Sequence, residues 1–436
     1  MKITSTLRRA LSLAAAVAAT AACAVPELSI TPENKTGVYQ AGEPIVWQVA
    51  ARGSSGEAPK EAAYVLKRGG ATPAGQGTLQ FSGGNATLTT TLKEPGALLA
   101  EVTAKTVGGH TLKALGGAVV APDQIKPSAP CPDDFDAFWK TKLGELAAVP
   151  PNPVLTPATS GKEGVQYWQL TMDNIRGTKI RGQLARPAQG QKFPAMLLVQ
   201  YAGVYPLGKN NVTSPAGEGW LALNINAHDL PIDEPQAFYD QQNTGALRNY
   251  TAIGNDDRET SYFLRMFLAC HRAVEYLAQR PDWNGKTLIV AGTSQGGLQS
   301  FVTAGLNHRV TALLALVPAG CDNTGALAGR RPGWPYWMTS AAGKDPAKAL
   351  ATSKYFDGVN FAARVQCPAL VGIGLIDTTS PAEGVWSGVN LMQGPKEVVV
   401  LPLSDHRGHD NSQAPFRVRE KAWRAALVRD QPPPAK

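Results

Sequence analysis

Thr287-Leu288-Ile289-Val290-Ala291-Gly292-Thr293-Ser294-Gln295-Gly296-Gly297 is the stretch whose reading decides the fold. Four β-formers run into a Gly-x-Ser-x-Gly pentapeptide, and the residues beyond it have helical character, so the order is strand, sharp turn, helix. A turn of that kind lifts a serine hydroxyl above the end of a sheet. Its glycines are needed because larger side chains would collide with neighbouring strands. Ser294 is therefore the expected nucleophile. The same residue types also punctuate ordinary surface loops, so the reading depends on an acid and a base following in the right order.

Outward from this stretch, strand-like and helix-like segments alternate. Apolar or β-rich runs occur at 165–171, 179–185, 195–200, 221–225, 288–291, 312–317, 369–374 and 398–403. Residues 262–279 have the spacing of an amphipathic helix placed just before the nucleophile strand. Strands that are apolar throughout, alternating with helices, predict an α/β domain with a mainly parallel sheet covered on both faces.

A serine attacks only when a base takes its proton, and the base needs a partner that fixes its tautomer and stabilises its charge. Asp377 follows the apolar run 369–376 and is the expected acid, at the carboxyl end of a strand. After the next run comes Ser404-Asp405-His406-Arg407-Gly408-His409-Asp410, which holds two of the chain's 6 histidines. Gly408 would let the loop turn His409 back toward Ser294, so His409 is the expected base and His406 the alternative. The oxyanion hole needs two backbone N–H groups. Gln295, directly after the nucleophile, should give one, and Tyr201, in the loop after the run 195–198, the other. No cysteine pair has metal-ligand spacing, and this chemistry requires no metal or organic cofactor.

The chain of 436 residues has room for more than one domain. Residues 1–24 read as a secretory signal peptide: a basic start, the apolar run 11–19, and Ala22-Cys23-Ala24 with small residues at the cleavage positions. This predicts a secreted or periplasmic protein, with cleavage after Ala24. Lipid anchoring at Cys23 is the weaker reading, because Thr20 stands where a Leu is usual. No run is long enough to span a bilayer. The net charge of +8 falls to +5 without Lys2, Arg8 and Arg9, and the remaining basic residues are scattered, so nucleic acid is not an expected partner. Cys131, Cys270, Cys321 and Cys367 are even in number, which permits pairing, yet three lie in apolar contexts that suit small buried side chains.

Residues 25–122 differ from the rest of the chain. Short β-rich runs at 45–49, 63–66, 86–92 and 98–103 alternate with Gly, Ser, Asn and Pro turns, which predicts an immunoglobulin-like β-sandwich. It would serve as a carbohydrate-binding or oligomerisation module, or as a spacer packed on the catalytic domain at 123–430. A Pro-containing linker at 121–130 leads into a helix near Pro132 whose Phe135, Phe138, Trp139, Leu143 and Leu146 form an apolar face.

Several segments resemble the acetyl xylan esterase and cephalosporin C deacetylase family, carbohydrate esterase family seven, of the α/β-hydrolase superfamily. They are Pro132-Asp133-Asp134-Phe135-Asp136-Ala137-Phe138-Trp139, the Tyr201 loop, Gly292-Thr293-Ser294-Gln295-Gly296-Gly297, and Cys367-Pro368-Ala369-Leu370 leading to Gly374-Leu375-Ile376-Asp377. The resemblance covers roughly residues 131–424. It implies an α/β-hydrolase fold, a Ser-His-Asp triad, an oxyanion hole from the Tyr201 and Gln295 main chains, and an acetylated carbohydrate as substrate. The family's Gly-His-Glu context is similar to Gly408-His409-Asp410 and so also favours His409. A homo-oligomer is implied as well, since members often form hexamers around a chamber.

The chain departs from the family at three places. Val199-Gln200-Tyr201 stands where His-Gly-Tyr is usual, Ala227-His228-Asp229-Leu230 where Arg-Gly-Gln-Gly is usual, and the N-terminal β domain is extra. Trp334 and Trp337, in Gly333-Trp334-Pro335-Tyr336-Trp337-Met338, offer aromatic faces for sugar stacking or anchor a cap helix. The expected activity is a serine esterase that removes acetyl groups from xylan-type polysaccharides or oligosaccharides. The competing readings are a peptidase or general carboxylesterase on the same fold, and a non-catalytic carbohydrate-binding protein.

Overall fold

The computed structural model describes residues 26–53 and 58–435; the leader reading of residues 1–24, Cys23 included, lies outside them. The first eight strands are β1 (Glu27–Pro32), β2 (Val38–Tyr39), β3 (Pro44–Arg52), β4 (Glu61–Arg68), β5 (Thr72–Gln80), β6 (Asn85–Thr91), β7 (Gly96–Lys105) and β8 (Thr111–Val120). Among the described residues they make a sheet β1-β3-β6 and a second sheet β2-β8-β7-β4-β5. The two sheets enclose a core of Ile30, Ile45, Trp47, Val49, Leu88, Ala100 and Val102. Alternation explains the packing: in β3 the side chains of Ile45, Trp47, Val49 and Ala51 are buried and those between them are not. Strand β5, with Pro73, Gly75 and Gly77, is almost wholly exposed at the edge of its sheet, which is why its sequence does not read as a strand.

The rest of the chain runs α1 (Phe135–Ala147), β9 (Val154–Ala158), β10 (Val165–Asp173), β11 (Lys179–Pro187), β12 (Phe193–Val199), α2 (Asn210–Gly217), β13 (Leu221–Ile225), α3 (Gln236–Thr244) and α4 (Tyr262–Gln279). It continues with β14 (Trp283–Thr293), α5 (Gln295–Leu306), β15 (Ala312–Leu316), α6 (Trp337–Ser340), α7 (Pro346–Ser353) and α8 (Gly358–Ala362). The last elements are β16 (Ala369–Gly374), α9 (Ala382–Val389), β17 (Lys396–Leu401) and α10 (Ala414–Leu427). Strands β9 to β17 form one sheet in the order β17-β16-β15-β14-β12-β13-β11-β10-β9. From β13 to β17 every pairing is parallel, and β9, β10 and β11 add an antiparallel edge. This is an α/β-hydrolase sheet.

Both faces are covered, which accounts for the unbroken apolar strands. In β14, Leu288 and Val290 join a core with Ala269, Ala273, Val274 and Leu277 of α4, whereas Ile289 and Ala291 face a core with Val212 of α2 and Phe416 and Trp423 of α10. The order of the central strands reverses at β12, where β13 and β14 lie on either side, and the carboxyl ends there are where such sheets hold their ligands.

Candidate active site

Ser294 sits between β14 and α5 with φ 61° and ψ −121°, a left-handed conformation that a serine adopts only when the surroundings force it. Its N–H donates to the Leu316 carbonyl at 3.0 Å and its carbonyl accepts from Ala319 N at 3.0 Å, so the end of β15 holds the elbow. The glycines are needed for close approach. A Cβ on Gly292 would lie 2.4 Å from the Gly296 carbonyl oxygen, one on Gly296 would lie 2.6 Å from the Val199 carbonyl oxygen, and one on Gly297 would strike Pro318.

The structure brings Ser294, His406 and Asp377 together. His406 Nε2 is 2.8 Å from Ser294 Oγ, and His406 Nδ1 is 2.7 Å from Asp377 Oδ2. A carboxylate only accepts, so Nδ1 carries the proton and Nε2 is left to accept the serine's. The Asp377 side chain is fully buried, and its other oxygen accepts from Thr379 N at 2.8 Å and Ser380 N at 2.7 Å. That turn fixes the carboxylate from behind.

The expectation that His409 faces Ser294 is corrected. The loop after β17 is pinned at once, because Ser404 N donates to Leu401 O and Ile376 N to Ser404 O, and Gly374 lets Ser404 approach so closely that a Cβ there would sit 2.6 Å from its carbonyl oxygen. His406, two residues later, therefore reaches Ser294. Asp405 then turns the chain outward: its Oδ1 accepts from Arg407 N, Gly408 N and His409 N, and its Oδ2 meets His409 Nδ1 at 2.5 Å. Burial pushes the Asp405 carboxyl up, but the bonds from the His409 ring and from the His409 and Gly408 amides outweigh it and hold the group below its ordinary range. Gly408 has φ 71°, as its role as a turn requires, yet that turn carries His409 away from the serine.

On the other side of the elbow, Gln295 opens α5, so its N–H is one of those a helix start leaves without an intrahelical partner. Tyr201 lies in the loop directly after β12, and the approach of Gly296 to Val199 and Gln200 brings that loop against the elbow. A directed set of hydrogen bonds ties the loop after β12 to Gln295. Arg265 donates to Tyr262 Oη, the Tyr262 hydroxyl reaches His228 Nδ1 at 2.7 Å, and His228 Nε2 reaches the Gly203 carbonyl at 3.0 Å. A carbonyl accepts, so Nε2 carries the imidazole proton and Nδ1 takes the tyrosine's. Gly203 N donates to Tyr250 Oη at 3.4 Å, and the Tyr250 hydroxyl donates to Gln295 Oε1 at 2.5 Å. Gln200 adds two more ties, its Oε1 to Ala227 N and its carbonyl to Gln299 Nε2. Burial pushes His228 down to about 4, so the ring is neutral in this network. The two sequence departures, at Gln200 and at His228, thus meet in one buried cluster. Tyr250 and Tyr262 had no sequence signal of their own.

Trp337 is corrected as a sugar platform. It is 2% exposed, donates to Asn255 O at 2.8 Å, and stacks between Phe263 and Phe356 in the core under α4. Trp334 is half-buried against Phe263, and its N–H donates to Thr379 O at 2.7 Å beside Asp377. Tyr201, in the loop after β12, is 56% exposed and stacked on Tyr205 at 4.7 Å. Beside it a groove of about 580 Å³ is lined by Tyr205, Asn211, Asn224, Thr293 and Arg417. Cys131, Cys270, Cys321 and Cys367 are free thiols. Among the described residues no group of three or more His, Cys, Asp or Glu is arranged to hold a metal ion, and no helix is long and apolar enough to cross a membrane.

A strained serine at a strand-to-helix turn, hydrogen-bonded to a histidine that is itself held by a buried carboxylate, is the arrangement for acyl transfer. The family model described as acetyl xylan esterase matches residues 123–422. The chain belongs to the acetyl xylan esterase family. Acetyl esterase Axe7A of Xylanibacter ruminicola is 33% identical over 320 residues, 72% of this chain and 72% of that protein. Among solved structures, an acetyl xylan esterase from Paenibacillus sp. superposes with a TM-score of 0.59 at 24% identity, covering 69% of this chain and 98% of that one. Acetyl xylan esterase 1 from a Thermoanaerobacterium sp. gives a TM-score of 0.56 at 20% identity, with 68% and 96% covered. As a member of the acetyl xylan esterase family the protein is a carboxylic ester hydrolase, and the two superpositions agree with its α/β-hydrolase fold.

Proposed function

We propose that the protein deacetylates hydroxyl groups of xylan-type polysaccharides or their oligosaccharides, with Ser294, His406 and Asp377 as its triad. The observation that carries this reading is the pair of contacts made by His406, 2.8 Å to Ser294 Oγ and 2.7 Å to Asp377. As Ser294 Oγ attacks the acetyl carbonyl, His406 Nε2 takes its proton and the resulting charge is stabilised by Asp377. The carbonyl oxygen, now an oxyanion, accepts from the N–H groups of Gln295 and Tyr201. When the tetrahedral adduct collapses, His406 returns the proton to the departing sugar hydroxyl. A water, deprotonated by the same nitrogen, then attacks the acetyl-serine and releases acetate.

The stacked Tyr201 and Tyr205 suit a sugar chain as the leaving group. The acetylated glycan named in the family's description fits such an aromatic face. Export by residues 1–24, and a boundary at 122 between a sandwich domain and a catalytic domain, complete the reading. Acetate release from acetylated xylan and p-nitrophenyl acetate tests it. Ser294→Ala should abolish both, by roughly 10⁴-fold or more, and remove labelling by a fluorophosphonate. Turnover should fall by about 10-fold or more from acetate to butyrate esters, since a pocket closed around a methyl group is overpacked by longer chains. A flat chain-length profile, or cleavage of peptide amides without acetate release, would overturn the substrate assignment.

A further inference from the structure

The β-sandwich meets the catalytic sheet at the two loops that deliver Asp377 and His406. Gly117 of β8 lies on Leu375, two residues before Asp377, so closely that a Cβ on Gly117 would fall 2.5 Å from the Leu375 carbonyl oxygen. Gly37 touches both loops, since a Cβ there would fall 2.6 Å from Leu375 Cδ1 and 3.3 Å from the ring of Pro402, just beyond β17. Backbone and ring atoms at these distances leave the loops no room to shift toward the sandwich.

Polar bonds hold the same loop on the far side of the aspartate. Gly69 O, in the turn between β4 and β5, accepts from Arg331 N at 2.8 Å, and Arg331 Nε donates at 3.2 Å to the carbonyl of Thr378, the residue after Asp377. Ala97 N of β7 donates at 2.9 Å to Glu383 Oε2 in the first turn of α9, where the Asp377 loop ends. Glu383 is buried and pairs through Oε1 with Arg330 Nε at 2.7 Å. Thr72 Oγ1 donates to Gly329 O at 2.7 Å beside it. The seam lined by Gly69, Ala97, Leu375, Asp377 and Glu383 leaves a cavity of only about 20 Å³, room for a single water.

None of these sandwich residues touches Ser294. What they fix is the place of the carboxylate, and acyl transfer tolerates little error there, since a misplacement of about 1 Å can cost 10²-fold. Loops after strands are ordinarily the mobile parts of a fold. We propose that the N-terminal β-sandwich is a positioning element of the active centre, which holds the Asp377 loop, and with it His406, in register with Ser294. This inference rests on the assignment of Ser294, His406 and Asp377 as the triad. It makes the sandwich part of the hydrolase rather than a tethered carbohydrate-binding module.

The test uses the full-length protein. Gly117→Ala drives a methyl into the Leu375 backbone, and Arg331→Ala removes the donor to Thr378 O; Arg331→Lys restores a cation there, and Leu88→Ala, deep in the sandwich and away from the seam, is the control for stability alone. Gly117→Ala and Arg331→Ala should lower kcat on p-nitrophenyl acetate by about 10-fold or more with KM within about twofold. Arg331→Lys should recover part of kcat. Leu88→Ala should lower Tm and leave kcat and KM unchanged at temperatures where it is folded. If Gly117→Ala does not accumulate as folded protein, Arg331→Ala decides alone. An Arg331→Ala enzyme with unaltered kcat, or a Leu88→Ala enzyme with the same kinetic loss, overturns the inference. Activity surviving in Ser294→Ala would instead overturn the triad on which it stands.

Discussion

Exchanging the two histidines of one loop separates the geometry from the local sequence context. His406→Ala removes the only side chain that bridges Ser294 and Asp377 among the described residues, and the expected loss in kcat is roughly 10⁴-fold or more. For His409→Ala the bound comes from its surroundings. The ring is 66% exposed, and its partner Asp405 is 31% exposed, a pair worth at most about 1 kcal/mol at such exposure. Three backbone N–H groups continue to hold the Asp405 carboxylate once the ring is gone, so the turn that aims His406 persists. Even if the whole of that energy were lost from the transition state, kcat would fall only about fivefold. Initial rates on p-nitrophenyl acetate, with fluorophosphonate labelling of Ser294 in each variant, give the comparison. An inactive His409→Ala enzyme beside an active His406→Ala enzyme would refute the assignment of the base.

The sheet was legible because its strands are apolar on both faces and its nucleophile turn needs glycine at three successive close approaches, Gly292, Gly296 and Gly297; each requirement is local and leaves a local trace. The place of Asp377 was legible for the same reason, as the polar residue at the end of an apolar strand. Which histidine faces Ser294 was not. Two histidines three residues apart on one loop differ only in how that loop folds, and what folds it is Asp405, which collects three amides and turns His409 outward. The glycine that singled out His409 does make a turn, but one that leads away from the serine. Trp337 misled because an aromatic cluster near a site has the same composition whether it faces solvent or core, and the partners that bury it, Phe263 and Phe356, lie far off in the chain. The buried hydrogen-bond network escaped for a similar reason: Gln200, His228, Tyr250, Tyr262 and Gln295 come from five separate elements, and only their meeting in space joins them.

Three further outcomes are expected. Tyr250→Phe removes the hydroxyl that joins Gly203 N to Gln295 Oε1, and a lost buried bond worth about 1–3 kcal/mol should appear as roughly a 10-fold fall in kcat on acetate esters with little change in KM; an unchanged kcat would deny that the network positions the oxyanion donors. Trp337→Ala should destabilise the fold by about 3–5 kcal/mol in denaturant titrations while leaving KM for acetylated oligosaccharides unaltered in the folded fraction, as core packing and not sugar stacking requires. The last concerns acid stability. His228 is held near 4 by burial against an unfolded value of 6.5, so below about 6.5 the unfolded chain takes up a proton that the folded protein refuses. Stability from this residue is therefore complete above that pH and is lost as the pH falls toward 4, by at most about 3 kcal/mol. His228→Gln removes the titration and keeps an amide that can donate to Gly203 O and accept from Tyr262. The gap in Tm between wild type and His228→Gln, taken at matched pH, should accordingly shift in favour of the variant as the pH is lowered from neutrality to about 4. A gap that stays constant over that range would mean that folded protein and unfolded chain take up the proton on His228 equally, so that below about 6.5 the ring would donate from both nitrogens and the bond between His228 Nδ1 and Tyr262 would run from His228 to Tyr262, the bond to the Gly203 carbonyl keeping its direction.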